Sequence, residues 1–322
     1  MFNNNINFSN NAGYKKVLST LSIVVPEILK QRFFTIKNIP DYVDIKEGIG
    51  GVAEEVFKWA EFSVAGDFEN GATGSNIDME RTASADVVYG NIIFQRQRWR
   101  KMISWNWWDL QTSSIAKIEN LIEGKMTALR KNWDLGIQDI IFNGSKANAG
   151  LKGLLNQDNV AVNTTAITKP LSLMSASEFN SFIATLPNLF YDNSNNTIMF
   201  NRFIIPADDY NGLVSQMSET FPLKTKLEVL EEAFGKLVAG YGISDFKVLP
   251  LVYANANKTA TGQPMYILYN KDSDTLFYDL PLDFQVLGQA TPDNYNIVNY
   301  SVGMYGGVQV QRPKEMLYFT FA

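Results

Sequence analysis

The chain has 322 residues, of which 46% are apolar and 19% charged, so most of it should fold around a sizeable core in one large domain or two to three small ones. Its formal net charge of -5 argues against general nucleic-acid binding, because phosphate contacts need concentrated Lys and Arg. The absence of cysteine and histidine excludes disulfides, thiolate nucleophiles, Ser-His-Asp triads and histidine-ligated zinc within the chain.

The first 55 residues read as an amino-terminal arm. An Asn-rich tip precedes a short amphipathic stretch, and Pro26 and Pro40 interrupt the segment. This pattern is typical of an arm that lies on another surface. No signal-peptide pattern and no apolar run of roughly 20 residues is present, so we expect a protein that is made and folded in a cytoplasm.

Residues 56–100 form the next predicted unit, a long hairpin-like loop. Its legs, "EVFKWAEF" and "ADVVYGNIIFQRQRW", are rich in aromatic and β-branched residues, which favours strands. The polar bridge "SVAGDFENGATGSNIDMER" between them is longer than the usual two to five residues of a hairpin loop. Because an isolated two-stranded ribbon is marginal in water, this loop should need a partner surface.

Three arginines alternate at the end of the second leg, so their side chains should leave one face of a strand. A solvated face is the favoured interpretation. The alternative is an interface stripe that meets acidic groups of a neighbouring copy and fixes the register between subunits. The candidate inter-subunit residues are Arg96, Arg98 and Arg100 in the stripe and Asp67, Glu69, Asp78, Glu80 and Arg81 in the bridge.

The stretch "SWNWWDL" places Trp105, Trp107 and Trp108 beside Asp109. Stacking on sugar rings is one interpretation, and Asp109 would then suggest carboxylate-based glycoside chemistry. The favoured interpretation is that the indoles plug a core junction, because each buries 150–250 Å² and no convincing second carboxylate accompanies Asp109.

From Ser113 to Asn143 the apolar residues follow steps of three and four, which predicts one long helix. Ser113 or Ser114 should cap its start, and Asn143-Gly144 should end it. Gly124 and Gly136 lie inside the pattern, so we expect close packing or a bend there. The apolar stripe consists of Ile115, Ile118, Ile122, Met126, Leu129, Trp133, Ile137 and Ile140.

Helix and strand patterns then alternate from about residue 175 to 260, which indicates a mixed α/β region. Ser175 and Glu178 have capping-box spacing at its start. The remaining residues to 322 read mostly as strands, with Asp272 and Asp274 in a polar turn between two of them. That turn lacks the Gly and distal Glu of a calcium loop, and "FGKLVAGYGISD" lacks the pattern of a phosphate loop.

This order of elements resembles the major capsid proteins of tailed bacteriophages with the HK97-like fold. The most specific stretches are "FNG" at 142–144 followed by "GLKGLLN" at 150–156, and the closing "GGVQV" with Arg312-Pro313. The resemblance implies an α+β fold with an amino-terminal arm (1–55), an extended loop (56–100), a peripheral domain (101–174) with a spine helix at 114–143, an axial domain (175–260) and return strands, mainly peripheral (261–322). It also implies that the extended loop lies over the adjacent subunit.

The implied function is a capsid subunit that forms hexamers and pentamers, closes into an icosahedral shell in the bacterial cytoplasm, and encloses phage DNA without sequence-specific binding. The chain has no room for the amino-terminal scaffolding segment of some members, so a separate scaffolding protein is implied, together with a portal and possible decoration proteins. Crosslinking through isopeptide bonds is not supported. We expect no catalytic, cofactor-binding or metal-binding residues and no membrane partner. The alternatives are an encapsulin-like shell that packages protein cargo, and a carbohydrate-active or carbohydrate-binding protein.

Overall fold

The computed structural model describes residues 35–36, 38–48, 55–65, 86–106, 108–109, 121–217, 224–259, 261–290 and 296–321; for 55–65, 86–94, 121–122 and 289 it describes the backbone. The helices are α1 (Ile39–Tyr42), α2 (Leu121–Asn143), α3 (Ala176–Asn193), α4 (Ala207–Gly212) and α5 (Lys226–Gly240). The strands are β1 (Asp44–Glu47), β2 (Glu55–Ala65), β3 (Asp86–Asn106), β4 (Ala161–Asn163), β5 (Arg202–Pro206), β6 (Lys247–Leu251), β7 (Met265–Tyr269), β8 (Leu276–Leu280), β9 (Leu282–Ala290), β10 (Asn296–Gly306), β11 (Val308–Val310) and β12 (Met316–Thr320).

Among the described residues these strands form three sheets. Their orders are β1-β8-β11, β2-β3-β10-β9 and β4-β12-β7-β5-β6. The five-stranded sheet is mixed, because β5 pairs parallel with β6 and antiparallel with β7. Parallel strands are usually covered on both faces, and all five residues of β5 are indeed buried.

The chain divides into two compact units. The smaller comprises the described parts of Met1–Thr35, Arg100–Trp133 and Val286–Ser301; the larger comprises those of Ile36–Trp99, Asp134–Gln285 and Val302–Ala322. Within the smaller unit the Lys125 ammonium donates to the Ser104 carbonyl at 2.7 Å, and the Lys101 ammonium donates to the Asn132 side chain at 2.6 Å. These bonds fix the end of β3 along the first part of α2.

The principal core of the larger unit lies around the five-stranded sheet and is strongly aromatic. Phe200 packs edge-on against Phe190 and Phe234, with ring centroids 5.4 Å apart in both pairs. Edge-to-face pairs of this kind add about 0.5–1.5 kcal/mol beyond the buried area. The same core contains the Phe179, Phe182 and Leu186 stripe predicted for α3.

Helices α3 and α5 begin where their sequences provide caps. Ser175 and Glu178 form the predicted capping box at α3, and Thr225 and Glu228 form a second one at α5. Each box satisfies otherwise unpaired amides of the first turn. Local sequence therefore decides where both helices start.

Helix α2 ends at Asn143, as predicted. Its predicted start at Ser113 or Ser114 lies outside the described residues. Leu129 and Trp133 of the apolar stripe are buried, and so are Ile141 and Phe142 in the last turn. A Cβ at Gly124 or Gly136 would meet nothing within 4 Å among the described residues, so these residues do not pack closely there, and the alternative of a bend stays a prediction.

The sheet that contains β5 and β6 is completed from outside residues 175–260. Strand β7 pairs with β5, and β12 pairs antiparallel with β7 along five residues. Side chains of β7 and β12 are buried throughout. The sequence pattern predicted both strands but did not identify their partners, since strand pairing between distant segments leaves no local signal.

Candidate assembly surfaces

The predicted extended loop is built on a paired ribbon. Strands β2 and β3 are antiparallel, with Glu55 opposite Gln95 at the base and Ala65 opposite Asp86 at the far end, and the register shifts between Glu61 and Ser63. Strand β3 continues to Asn106 and is 21 residues long, which corresponds to about 70 Å of extended chain. The ribbon is therefore one continuous extension of the four-stranded sheet.

At the base of the ribbon, Arg96 forms a buried ion pair within the chain. Its Nε and Nη2 atoms donate to the Asp279 carboxylate of β8 at 2.6 and 3.0 Å. The two side chains are 1% and 2% exposed. Gly306 leaves room for the pair, since a Cβ there would lie 2.8 Å from the Asp279 Oδ2.

Arg96 therefore does not belong to an exposed stripe, whereas Arg98 and Arg100 are exposed. Asp279 is a partner that the sequence analysis missed. A single acid among the apolar residues of "LFYDL" was the available signal, because a carboxylate in a fully buried strand needs a cationic partner. The proposed partners Asp67, Glu69, Asp78, Glu80 and Arg81 lie outside the described residues.

The loop after α2 is held by main-chain hydrogen bonds. The Leu154 amide donates to the Ile141 carbonyl at 2.8 Å, and the Val308 amide donates to the Lys152 carbonyl at 2.8 Å. The latter bond attaches β11 to the loop that closes the helix. The two stretches "FNG…GLKGLLN" and "GGVQV" are thus in direct contact.

Glycine is required where these backbones meet. Gly144 has φ +73°, and a Cβ there would lie 2.5 Å from the Leu151 carbonyl oxygen. A Cβ on Gly153 would lie 2.5 Å from the Phe142 carbonyl oxygen, and one on Gly307 would lie 2.5 Å from that of Lys152. A side chain at Gly144 or Gly153 would push the loop away from the end of α2, and one at Gly307 would push β11 away from the loop.

Within the larger unit, residues 38–48 are held by polar contacts with three strands. The Tyr42 hydroxyl donates to the Pro250 carbonyl at 2.6 Å, and the Tyr269 hydroxyl donates to the Tyr42 carbonyl at 2.7 Å. Burial, with smaller contributions from Asp41 and Tyr210, raises the pKa of Tyr42 to about 12, so its phenol stays neutral and can donate. Strand β1 also pairs parallel with β8.

Two cations reinforce this attachment. The hydrogen bond from Lys247 to Asp41, at 2.7 Å, lowers the pKa of the Asp41 carboxyl. Arg202 is buried and donates to the Asp41 carbonyl at 3.0 Å and to the Asp245 carboxylate at 2.5 Å. The base of the predicted arm is therefore fixed to the sheet.

The tryptophan cluster does not form a sugar platform within the described residues. Trp105 is 2% exposed and Trp108 is 61% exposed, while Trp107 lies outside the described residues. The Asn106 amide donates to the Asp109 carboxylate at 3.2 Å, and the Asp109 amide donates to the Asn106 side-chain oxygen at 2.8 Å. The Asp109 carboxylate thus has a local structural role.

Two further acids, Asp209 and the predicted turn residue Asp272, also have structural roles. Buried Asp209 accepts hydrogen bonds from the amides of Leu171 and Ser172 and from the Tyr266 hydroxyl, all at 2.8–2.9 Å. Asp272 accepts from the Asp274 amide at 3.0 Å, which confirms the predicted polar turn. In the part of the chain that the structure describes, no group of three or more acidic residues could hold a metal ion, and no helix is long and apolar enough to cross a membrane.

Solved structures from two phages and from a GTA particle are similar to this fold. The capsid of Myoviridae phage XM1 matches with a TM-score of 0.76 at 16% identity, over 94% of this chain and 97% of that one. A chain from Mycobacterium phage Che8 matches with a TM-score of 0.55 at 16% identity, over 92% and 96%. The capsid of a native GTA particle matches with a TM-score of 0.57 at 11% identity, over 93% and 96%.

These similarities confirm the predicted α+β, HK97-like capsid fold. A search of curated proteins finds no match. The model of one protein family, described as major capsid protein, matches residues 84–321, which is most of the chain. The chain therefore belongs to the major capsid protein family and has a shell-forming function.

Proposed function

We propose that this chain assembles as hexamers and pentamers into an icosahedral phage head that encloses DNA without sequence-specific contacts. The observation that carries the proposal is the β2–β3 ribbon, whose base is fixed by the buried Arg96–Asp279 pair. Because its base is fixed, the ribbon cannot move at that point without moving β8 as well. The role is structural, and the buried Asp209 and Asp279 carboxylates serve packing instead of catalysis.

The loop at the end of the ribbon would lie over the adjacent subunit. In this arrangement the exposed Arg98 and Arg100 contact Asp67, Glu69, Asp78 or Glu80 of the neighbour. Opposite charges on the two surfaces favour one register over others, because a slipped register places like charges together. Such contacts would supplement the roughly 1,200–2,000 Å² that a stable interface buries in total.

The assembly would need a separate scaffolding protein and a portal, with decoration proteins as further possible partners. We place its assembly in the bacterial cytoplasm and its final location in the virion. The domain division we propose remains arm (1–55), extended loop (56–100), peripheral domain (101–174), axial domain (175–260) and return strands (261–322). Strands β7 and β12 join the sheet of β5 and β6, so the axial domain would include part of the return strands.

A charge-reversal experiment tests the loop contact. Arg98→Glu with Arg100→Glu should lower the yield of shells at least tenfold, and adding Asp67→Lys with Glu69→Lys should restore part of it. Lys146→Glu with Lys258→Glu, reversals at two other exposed positions, controls for the same change in net charge. If the double arginine variant assembles like the wild type, the proposed contact is wrong, whereas shells of the wild type would still support the capsid function.

A further inference from the structure

The described sheets have six edge strands, and five of them carry features that discourage pairing with another chain. Strands β4 and β11 are only three residues long. Strand β1 is four residues long with three charged side chains, and β6 contains Lys247 and Pro250. Strand β2 has Glu55, Lys58 and Glu61 in its sequence. Short length, charge and proline are the usual protections of an exposed edge.

Strand β9 differs from these five, because its one charged residue, Asp283, stands near its start. It is nine residues long and lies at the edge of the four-stranded sheet, next to β10 alone among the described strands. Its residues 284–290, "FQVLGQA", contain no charge and no proline. At about 3.3 Å per residue this run gives roughly 23 Å of edge.

The two apolar side chains in the middle of this run are exposed, one on each face of the strand. Val286 is 44% and Leu287 is 46% exposed, and neighbouring residues of a strand point to opposite faces. A partner that packs on one face would cover only one of the two residues. A strand placed alongside β9 reaches both faces and also satisfies the outward amides and carbonyls.

We propose that the outer edge of β9 pairs through its main chain with an extended segment of a second copy of this chain. The inference rests on the proposed shell function and assigns the β9 edge as a further contact surface between subunits. Charge depletion is typical of the centre of an interface, and residues 284–290 are the longest uncharged run in any of the six edge strands. A second copy is the occupant because a shell-forming subunit is surrounded by identical subunits, and each contact recurs at every equivalent position.

Hydrogen exchange measured by mass spectrometry tests this pairing directly. In unassembled wild-type subunits, the outward amides of residues 284–290 should exchange quickly. In purified shells their exchange should slow at least tenfold. Unchanged exchange upon assembly would overturn the inference, and so would slow exchange in the free subunit, because the edge would then be covered within the chain.

A pair of substitutions separates main-chain pairing from apolar contact. Leu287→Lys adds the charge that protects other edges and should lower the shell yield at least tenfold, with an unchanged melting temperature of the subunit. Leu287→Thr keeps a strand-forming residue without charge and should assemble. Wild-type yield for Leu287→Lys, or failure of Leu287→Thr, would overturn the inference. Failure of the wild type to form any particle would instead overturn the proposed function.

Discussion

At the scale of single residues, Arg96 and Asp279 connect the ribbon to β8 without access to water. The pair is bidentate, and the space beside it exists because residue 306 is glycine. Removing one partner of such a pair leaves an uncompensated buried charge, whereas replacing both by apolar residues does not. The expected loss of folding stability therefore differs between single and double variants of this pair.

We expect Arg96→Met to lower the free energy of unfolding by about 3–5 kcal/mol, because it isolates the Asp279 charge in the core. The double variant Arg96→Met with Asp279→Leu should recover most of that loss. Urea unfolding followed by tryptophan fluorescence measures both. A loss below about 1 kcal/mol for the single variant would show that the charge is not buried as described.

The Glu178 carboxyl gives a second prediction at this scale. Hydrogen bonds from Lys169 and from Ser175 lower its pKa from 4.5 to about 2. A lowered pKa means that this carboxylate stabilises the fold above pH 4.5 and that the contribution is lost as the pH falls towards 2. An NMR titration should show the low value in the wild type and a higher value in Lys169→Met. Equal values in the two proteins would exclude Lys169 as a cause.

At the scale of secondary structure, α2 combines two kinds of glycine. Gly136 is exposed and no described residue lies within 4 Å of its Cβ position, while Gly144 and Gly153 form the tight contacts after the helix. The two kinds look alike in the sequence. They differ in what a substitution would do. A glycine in an open helix only costs backbone entropy on folding, whereas at a close approach any larger residue would clash with the neighbouring backbone.

Gly136→Ala should therefore raise the free energy of unfolding by about 1 kcal/mol. Gly153→Ala should lower it, because the methyl group would enter the space of the Phe142 carbonyl. Thermal unfolding of the two variants, side by side with the wild type, measures both effects. Destabilisation by Gly136→Ala would indicate that a surface of the assembled or folded protein covers this face of the helix.

Elements with strong local signals could be predicted from the sequence. The capping box at Ser175, the end of α2 at Asn143 and the pairing of the loop legs have the predicted form. Burial of Arg96 could not be predicted, because alternation assigns residues to a face without saying which face is covered. The partners of β7 and β12 are likewise set by distant strands and not by their own residues.

At the scale of the whole molecule, the closing strands hold together parts that are far apart in sequence. Strand β12 completes the five-stranded sheet, and β11 is bonded to the loop after α2. Truncation before Val308 should therefore prevent folding of the larger unit. We expect such a variant to be insoluble or to lack cooperative unfolding by circular dichroism; a cooperative transition would contradict this role of the carboxyl-terminal strands.

Electron microscopy of the purified chain, expressed alone and with the scaffolding and portal genes adjacent to its own, tests the central claim most directly. The account predicts closed icosahedral shells, or rings of five and six subunits, in at least one of these preparations. In the same preparation, a variant that lacks residues 67–80 should remain a folded subunit without forming shells. A uniform monomer of the wild type in every preparation would contradict the account.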